Sequence, residues 1–188
     1  MSSLPANNFR RSSAIACFLL TAIIGLAIDQ WSKVEAFNHL CAGIADNGDG
    51  TSSVIGAREV VFIPGLINFS PVVNPGAVFG LGAGKQTLFK VVSFAAMIFI
   101  VYLFAQSGRQ RIYQILLGML MAGVVGNLYD RMRFNYVRDM IHGLPHWPRL
   151  FPYIFNVADT FLCTGVALML VYSLLTDPGK PKVAAEQN

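Results

Sequence analysis

Four short clusters in this chain set ionisable and amide side chains inside or beside apolar sequence. They are Asp29 with Lys33; Asn127, Asp130 and Arg131; Asp139; and Asn156 with Asp159. At the centre of a membrane helix an ionisable group costs about 2.5–3.5 kcal/mol, and less toward the interface, so such residues need partners or a function. Asp159 falls about one turn inside an apolar run, and Asp139 is embedded in Tyr136-Val137-Arg138-Asp139-Met140-Ile141. Two carboxylates at one mouth of a membrane protein fit aspartic-protease chemistry, because like charges about 3 Å apart cannot both ionise. The ionised member can take a proton from water while the protonated one polarises a carbonyl. No metal is called for. His142 and His146 are four apart, but Gly143, Pro145 and Pro148 argue against a helical zinc-binding face, so they read as surface or packing residues. Cys17 and Cys163 lie inside apolar runs, which leaves no credible Cys-His or Ser-His-Asp set. Asp46, Asn47 and Asp49 lack EF-hand spacing and its distal Glu, and read as a plain turn.

The elements that position these groups follow from composition. Of 188 residues, 54% are hydrophobic and 13% charged, against about 25% charged in soluble domains, and the mean hydropathy is +0.53. This describes a membrane protein of one domain, with too few cysteines for a disulfide scaffold. A net charge of +4 spread along the chain gives no basic stripe for nucleic acid. Four stretches reach the roughly 20 residues that a bilayer core requires: 12–31, 88–106, 112–129 and 155–175. Arg10 and Arg11 before the first run invite a signal-peptide reading. However, no small-x-small cleavage site follows, and Asp29, Trp31 and Lys33 mark an interfacial exit.

Four spans put both termini on one side. Arg10, Arg11, Arg109, Arg111, Lys180 and Lys182, dense in short segments, assign that side to the cytoplasm, although eight other basic residues fall opposite. The outer segments are then 32–87 and 131–154. The first reads as a polar loop over 46–53 followed by a small sheet from Val60-Val61-Phe62-Ile63, a Pro64-Gly65 turn and Leu66-Ile67-Asn68-Phe69. The tail after Asp177 is short and polar.

Within this frame Asp29 lies 18 residues, or about 27 Å of helix, beyond Arg11, which places it near the outer interface with Lys33 one turn on. An interfacial ion pair ending the helix is the plain reading of that pair. Gly118, Ala122 and Gly126 form a small-residue row for close helix packing, and the next position in the row is Asp130. Asn127 and Arg131 are also four apart, so Gly126-Asn127-Leu128-Tyr129-Asp130-Arg131 reads as a hydrogen-bonded scaffold at the outer surface. Arg131 is expected to pair with Asp130 or with a nearby backbone carbonyl. Asn156 and Asp159 share a face.

In order, Asp29-Gln30-Trp31-Ser32-Lys33, Asn74-Pro75-Gly76-Ala77-Val78-Phe79-Gly80, Gly126-Asn127-Leu128-Tyr129-Asp130-Arg131, Val137-Arg138-Asp139 and Phe155-Asn156-Val157-Ala158-Asp159 resemble lipoprotein signal peptidase (signal peptidase II, aspartic peptidase family A8). The resemblance implies an α-helical polytopic bacterial inner-membrane enzyme, with four transmembrane helices, a small extracytoplasmic β-cradle, an amphipathic lid and an active site at the outer face. It implies that Asp139 and Asp159 form the catalytic dyad and that Asn74, Gly76, Asn127, Arg131 and Asn156 line the substrate site. Asp29 and Lys33 would support that site, with Asp130 in the same scaffold. The implied substrates are diacylglyceryl-modified prolipoproteins cut before the lipidated cysteine, by a monomer in contact with membrane lipids and without a cofactor. Three features depart from the family: the polar stretch 41–56 is longer than its usual link, Arg138 and Met140 flank Asp139 where apolar and aromatic residues are common, and the loop 144–153 holds three prolines. The competing reading is a proton-coupled transporter with membrane-edge carboxylates as relay sites.

Overall fold

The computed structural model describes residues 12–48, 51–76 and 85–176. Arg10, Arg11, Asp49, Ala77-Val78-Phe79-Gly80 and the tail with Lys180 and Lys182 lie outside the described residues.

Among the described residues four helices are long and apolar enough to cross a membrane: α1 (Ser12–Leu40), α2 (Gln86–Gln106), α3 (Arg111–Phe134) and α4 (Val157–Thr176). The chain is a polytopic α-helical membrane protein. Within the apolar windows of these helices, 67% of α3 is buried, against 28% of α1, 17% of α4 and 11% of α2. Thus α3 is the axis, and the outward Leu, Ile, Val and Phe side chains of the other three are suited to lipid.

Small residues let the helices close on that axis. A Cβ on Gly118 would stand 2.7 Å from the Phe18 carbonyl of α1, and one on Gly25 would stand 2.7 Å from Ala122 Cβ. One on Gly126 would reach within 2.5 Å of Asp29 Oδ2, so the row read from the sequence is the face that meets α1. Gly123 points the other way, where a Cβ would sit 2.6 Å from the Ala158 carbonyl of α4. Below these contacts Phe18 and Phe104 stack with ring centres 4.6 Å apart, in a core with Leu117, Leu120 and Met121.

The helices run beyond two of the expected spans: the first continues past residue 31 to Leu40 and the third past 129 to Phe134, and there Lys33, Asp130 and Arg131 are buried by partners. The fourth helix begins at Val157, Phe155 being in a strand. The third stops where Asn135 takes a left-handed conformation (φ 63°) and its N–H returns to the Arg131 carbonyl.

The described ends of the stretch expected to be a loop over 46–53 belong to two strands that pair antiparallel, β1 (Gly43–Asp46) with β2 (Ser52–Ile55). A second sheet runs β3 (Val60–Ile63), β4 (Ile67–Asn74), β5 (Val137–Gly143), β6 (Ile154–Phe155), antiparallel throughout. Its four strands come from both outer segments, so the cradle is built across α2 and α3 and not from the first segment alone. The expected lid has no element of its own among the described residues of that segment.

Replacing Gly118 by Val adds bulk against a backbone carbonyl that cannot rotate away. It should lower stability by about 1–3 kcal/mol, read as a lower thermal midpoint in detergent. Gly43→Ala, where the added Cβ meets nothing within 4 Å, should change it little. An unchanged midpoint for Gly118→Val contradicts the close α1–α3 approach.

Candidate active site

Strand alternation separates two jobs along β5. Arg138 turns to α1 and α3, while Asp139 turns to Asn74 and Asn156. Asp139 is 2% exposed. Its Oδ1 accepts Asn156 Nδ2–H at 2.6 Å and its Oδ2 accepts Asn74 Nδ2–H at 2.9 Å. Asn74 comes from β4, whose register against β5 shifts between Phe69 and Val72, at the buried Pro71 that cannot donate to the ladder. Asn74 Oδ1 also accepts the Gly76 N–H at 2.9 Å, which fixes the turn leaving the strand.

Asp159 is held by the start of its own helix. Asn156 caps α4: its Oδ1 accepts the Asp159 N–H at 2.9 Å, and Asp159 Oδ2 in turn accepts the Asn156 N–H at 3.3 Å. This reciprocal capping arrangement places an anion in the first turn, where the helix dipole favours it. Asp159 Oδ1 accepts Asn127 Nδ2–H from α3 at 2.8 Å, and Asn127 Oδ1 accepts Asn156 Nδ2–H at 3.1 Å. Asn156 therefore bridges the two carboxylates.

Behind this layer lies a charge cluster with no access to solvent. Lys33, Asp29 and Asp130 are each 0% exposed. Lys33 Nζ is 2.9 Å from Asp29 Oδ2, 3.3 Å from Asp130 Oδ2 and 3.3 Å from Asn127 Oδ1. The lysine therefore fixes the orientation of the Asn127 amide, oxygen toward the ammonium and NH₂ toward Asp159. Asp29 Oδ1 accepts the Ala158 N–H at 2.8 Å, so a carboxylate on α1 satisfies an orphan donor at the start of α4. Asp130 accepts both the backbone N–H of Arg138 (3.0 Å) and its guanidinium (2.8 Å), which seats β5. Gln30 closes the cluster, accepting from Arg138 Nη2 at 2.8 Å and donating to Asp29 at 2.9 Å and to the Gly126 carbonyl at 3.2 Å.

Arg131 does not pair with Asp130. Its Nη2 donates to the Gly76 carbonyl at 3.0 Å and its Nη1 to the Asn127 carbonyl at 3.3 Å, with the guanidinium 5.4 Å from the centre of the Phe89 ring. Of the two partners expected for it, the backbone carbonyls are the ones in place.

Burial pushes the Asp139 carboxyl up to about 7, and the Asp159 charge adds to this; hydrogen bonds from Asn74 and Asn156 and the Lys33 charge oppose it. Near neutrality the arrangement therefore suits one proton shared by two carboxyls, an acid and a base side by side. His142 stands apart, its Nδ1 3.0 Å from Glu59 Oε1 at the edge of the sheet. Among the described residues no three or more His, Cys, Asp or Glu side chains are grouped to hold a metal ion.

All ten residues singled out from the sequence fall in this one region: Asp139, Asp159, Asn74, Gly76, Asn127, Arg131 and Asn156 in the layer around the carboxylates, and Asp29, Lys33 and Asp130 behind it. Asp29 and Lys33 are not an interfacial pair but a buried one. Sequence reasoning missed Gln30 and treated Arg138 as an oddity. The available signal was a charge next to Asp139 in an otherwise apolar strand, which required a buried partner of opposite sign.

A family model described as Signal peptidase (SPase) II matches residues 21–175. The lipoprotein signal peptidase of Enterococcus faecalis is 30% identical over 165 residues, covering 87% of this chain and 90% of that protein. That of Rhodopirellula baltica is 34% identical over 189 residues (91% and 74%), and that of Coxiella burnetii 32% over 170 residues (87% and 93%). A solved bacterial membrane enzyme, determined by the in meso method, superposes with a TM-score of 0.74 at 25% identity, covering 98% of this chain and all of the other.

Arg131→Ala strips the side-chain donor from the buried Gly76 carbonyl, while the Asn127 carbonyl keeps its helical N–H partner; leaving the Gly76 group unsatisfied should cost about 1–3 kcal/mol. Arg133→Ala, on the exposed side of the same turn, should stay within about 0.5 kcal/mol of the wild type. Equal thermal midpoints for the two variants in detergent would reduce Arg131 to a snorkelling side chain.

Proposed function

The chain belongs to the signal peptidase II family, and we propose that it is an aspartic endopeptidase that removes the signal peptide from diacylglyceryl-modified prolipoproteins, cutting before the lipidated cysteine. The observation that carries this is the pair Asp139 and Asp159, buried, bridged by Asn156 and set at one end of a membrane-spanning bundle.

Asp159 is the ionised member, because it accepts from an amide and from a helix-start N–H, and that amide is polarised by Lys33. Asp139, whose carboxyl burial pushes up to about 7, carries the proton. A water between them gives its proton to Asp159 as its oxygen attacks the scissile carbonyl carbon, while Asp139 donates to the carbonyl oxygen. Collapse of the tetrahedral diol returns that proton to Asp139, breaks the C–N bond and passes the proton on Asp159 to the departing cysteine nitrogen.

The substrate's approach is marked by a cavity of about 190 Å³ between α2, α3 and α4, lined by Phe89, Val92, Ala96, Val124 and Leu162 and reaching Asn127 and Arg131. Its apolar walls suit a signal helix or acyl chain, and its polar end lies at the asparagine that holds Asp159. The basic residues of the short inner segments assign both termini to the cytoplasm and the dyad to the outer face. The transporter alternative has no support: the buried charged groups Asp29, Lys33, Asp130, Arg131 and Asp159 all lie at one end of the bundle and form no path across it.

The direct test is cleavage of a purified precursor in two forms, with and without the diacylglyceryl group. The lipid holds the scissile bond at the depth of the dyad by burying CH₂ groups at about 0.8 kcal/mol each. The unlipidated form should therefore be cut far more slowly, even with free lipid added, and Asp139→Asn and Asp159→Asn should each abolish turnover of the lipidated form. Comparable rates for both precursors would make the enzyme a general intramembrane protease, and turnover by either variant would remove that carboxylate from the mechanism.

The pH profile supplies a second test. As pH rises through about 7, Asp139 loses its proton, the pair becomes doubly negative and kcat/KM should fall. The Asn74 hydrogen bond favours the charged form of Asp139, so Asn74→Ala should leave the proton on to higher pH and move the falling limb upward, whatever its effect on the maximum. A limb that stays in place or moves down contradicts the assignment of the acid to Asp139.

A further inference from the structure

A second cavity, of about 250 Å³, has Asp139 in its lining. Its walls are Val72 to Asn74 of β4 with the following Pro75, and the segment Pro152-Tyr153-Ile154, and it shares no lining residue with the lipid-facing cavity. Of the three asparagines that hold the dyad, Asn127, on Asp159, borders the first cavity, and Asn74, on Asp139, borders the second. A peptide bond set across the carboxylates can then turn its signal side to the first cavity, among the membrane-spanning helices, and its mature side to the second.

One wall of the second cavity is the end of the three-proline loop 144–153. The loop is pinned, not slack. The Leu144 N–H donates to the Leu66 carbonyl at 2.8 Å, the Phe151 N–H donates to the Trp147 carbonyl at 3.0 Å, and the Phe151 ring stands edge-on to Tyr153 and Phe155 with ring centres 5.5 and 5.8 Å away. Apart from Asp139 and Asn74, its lining residues Val72, Val73, Pro75, Pro152, Tyr153 and Ile154 are apolar or aromatic. A preformed apolar wall facing the reacting carboxyl is suited to a side chain, and burial of apolar surface there favours an aliphatic one.

We infer that this cavity is the subsite for the residue immediately after the lipidated cysteine and that Tyr153 on the proline-rich loop sets its preference for an aliphatic side chain. The inference rests on the peptidase reading above and adds a specificity determinant to it.

The test uses lipidated precursors that differ only in having Gly or Leu after the cysteine, cut by the full-length enzyme in detergent. The wild type should cleave the Leu form with a kcat/KM at least about fivefold above the Gly form. Tyr153→Ser should bring that ratio toward one, and Leu150→Ala, an exposed position elsewhere on the loop, should keep it. If Tyr153→Ser fails to fold, Val72→Ser probes the same cavity from β4 with the same expected loss. Equal cleavage of the two precursors by the wild type, or an unchanged ratio in the Tyr153 or Val72 variant, overturns the subsite. Failure to cut either lipidated precursor overturns the peptidase reading instead.

Discussion

A lysine ammonium with no solvent access, shared between two carboxylates that are equally buried, is the interaction on which the rest of this molecule depends. Lys33 meets Asp29 and Asp130 at 2.9 and 3.3 Å, and Arg138 completes a cluster of two cations and two anions. Each member also holds something else. Asp29 satisfies the Ala158 N–H and so anchors the start of α4, Asp130 seats the backbone of β5 at Arg138, and Lys33 orients Asn127 toward Asp159. The two carboxylates proposed as the catalytic pair thus stand on elements whose positions are set by the same buried charges. Helices in lipid lack the hydrophobic drive that aligns them in water, so close small-residue contacts and polar pairs are what fix their register.

The cluster is a poor source of net stability, because desolvating four charged groups offsets most of their attraction. Its value is positional. Any rotation of α1 against α3 would leave a charge unpaired in a low-dielectric interior, and Gly126 has no Cβ because Asp29 occupies that space. Burial also sets the chemistry one layer forward. With the four-member cluster neutral, a dyad holding one proton carries a single negative charge, matched by Arg131, which takes part in none of the ion pairs of the described residues. A doubly ionised dyad would be out of balance in the same setting, which favours a proton on the pair, in line with the rise that burial imposes on Asp139.

Much of this was legible in the sequence because membranes make local patterns informative. Four apolar runs, a row of small residues at four-residue intervals and carboxylates at membrane depth are each visible without a fold. The contacts that turn them into a site are not local. Asp29 reaches an N–H 129 positions away, and Asn74 meets Asp139 only because β4 pairs with β5 across two intervening helices. The helical extent of α1 and α3 beyond the apolar runs was hidden for a related reason, since a window average cannot distinguish a charge facing water from one neutralised inside. Arg138 looked like a departure from pattern until Asp130 and Gln30 were seen to need it.

A double-mutant cycle on Lys33 and Asp29, followed by thermal unfolding in detergent, tests this dependence most directly. Lys33→Met and Asp29→Asn should each be strongly destabilising, by about 3–5 kcal/mol when a buried partner is left unpaired. Their combination should lose clearly less than the sum, because it buries no orphaned charge between that pair. Additive losses, with the double variant as damaged as the two single ones together, would show that the two residues act independently and that the buried pair is not what holds the site.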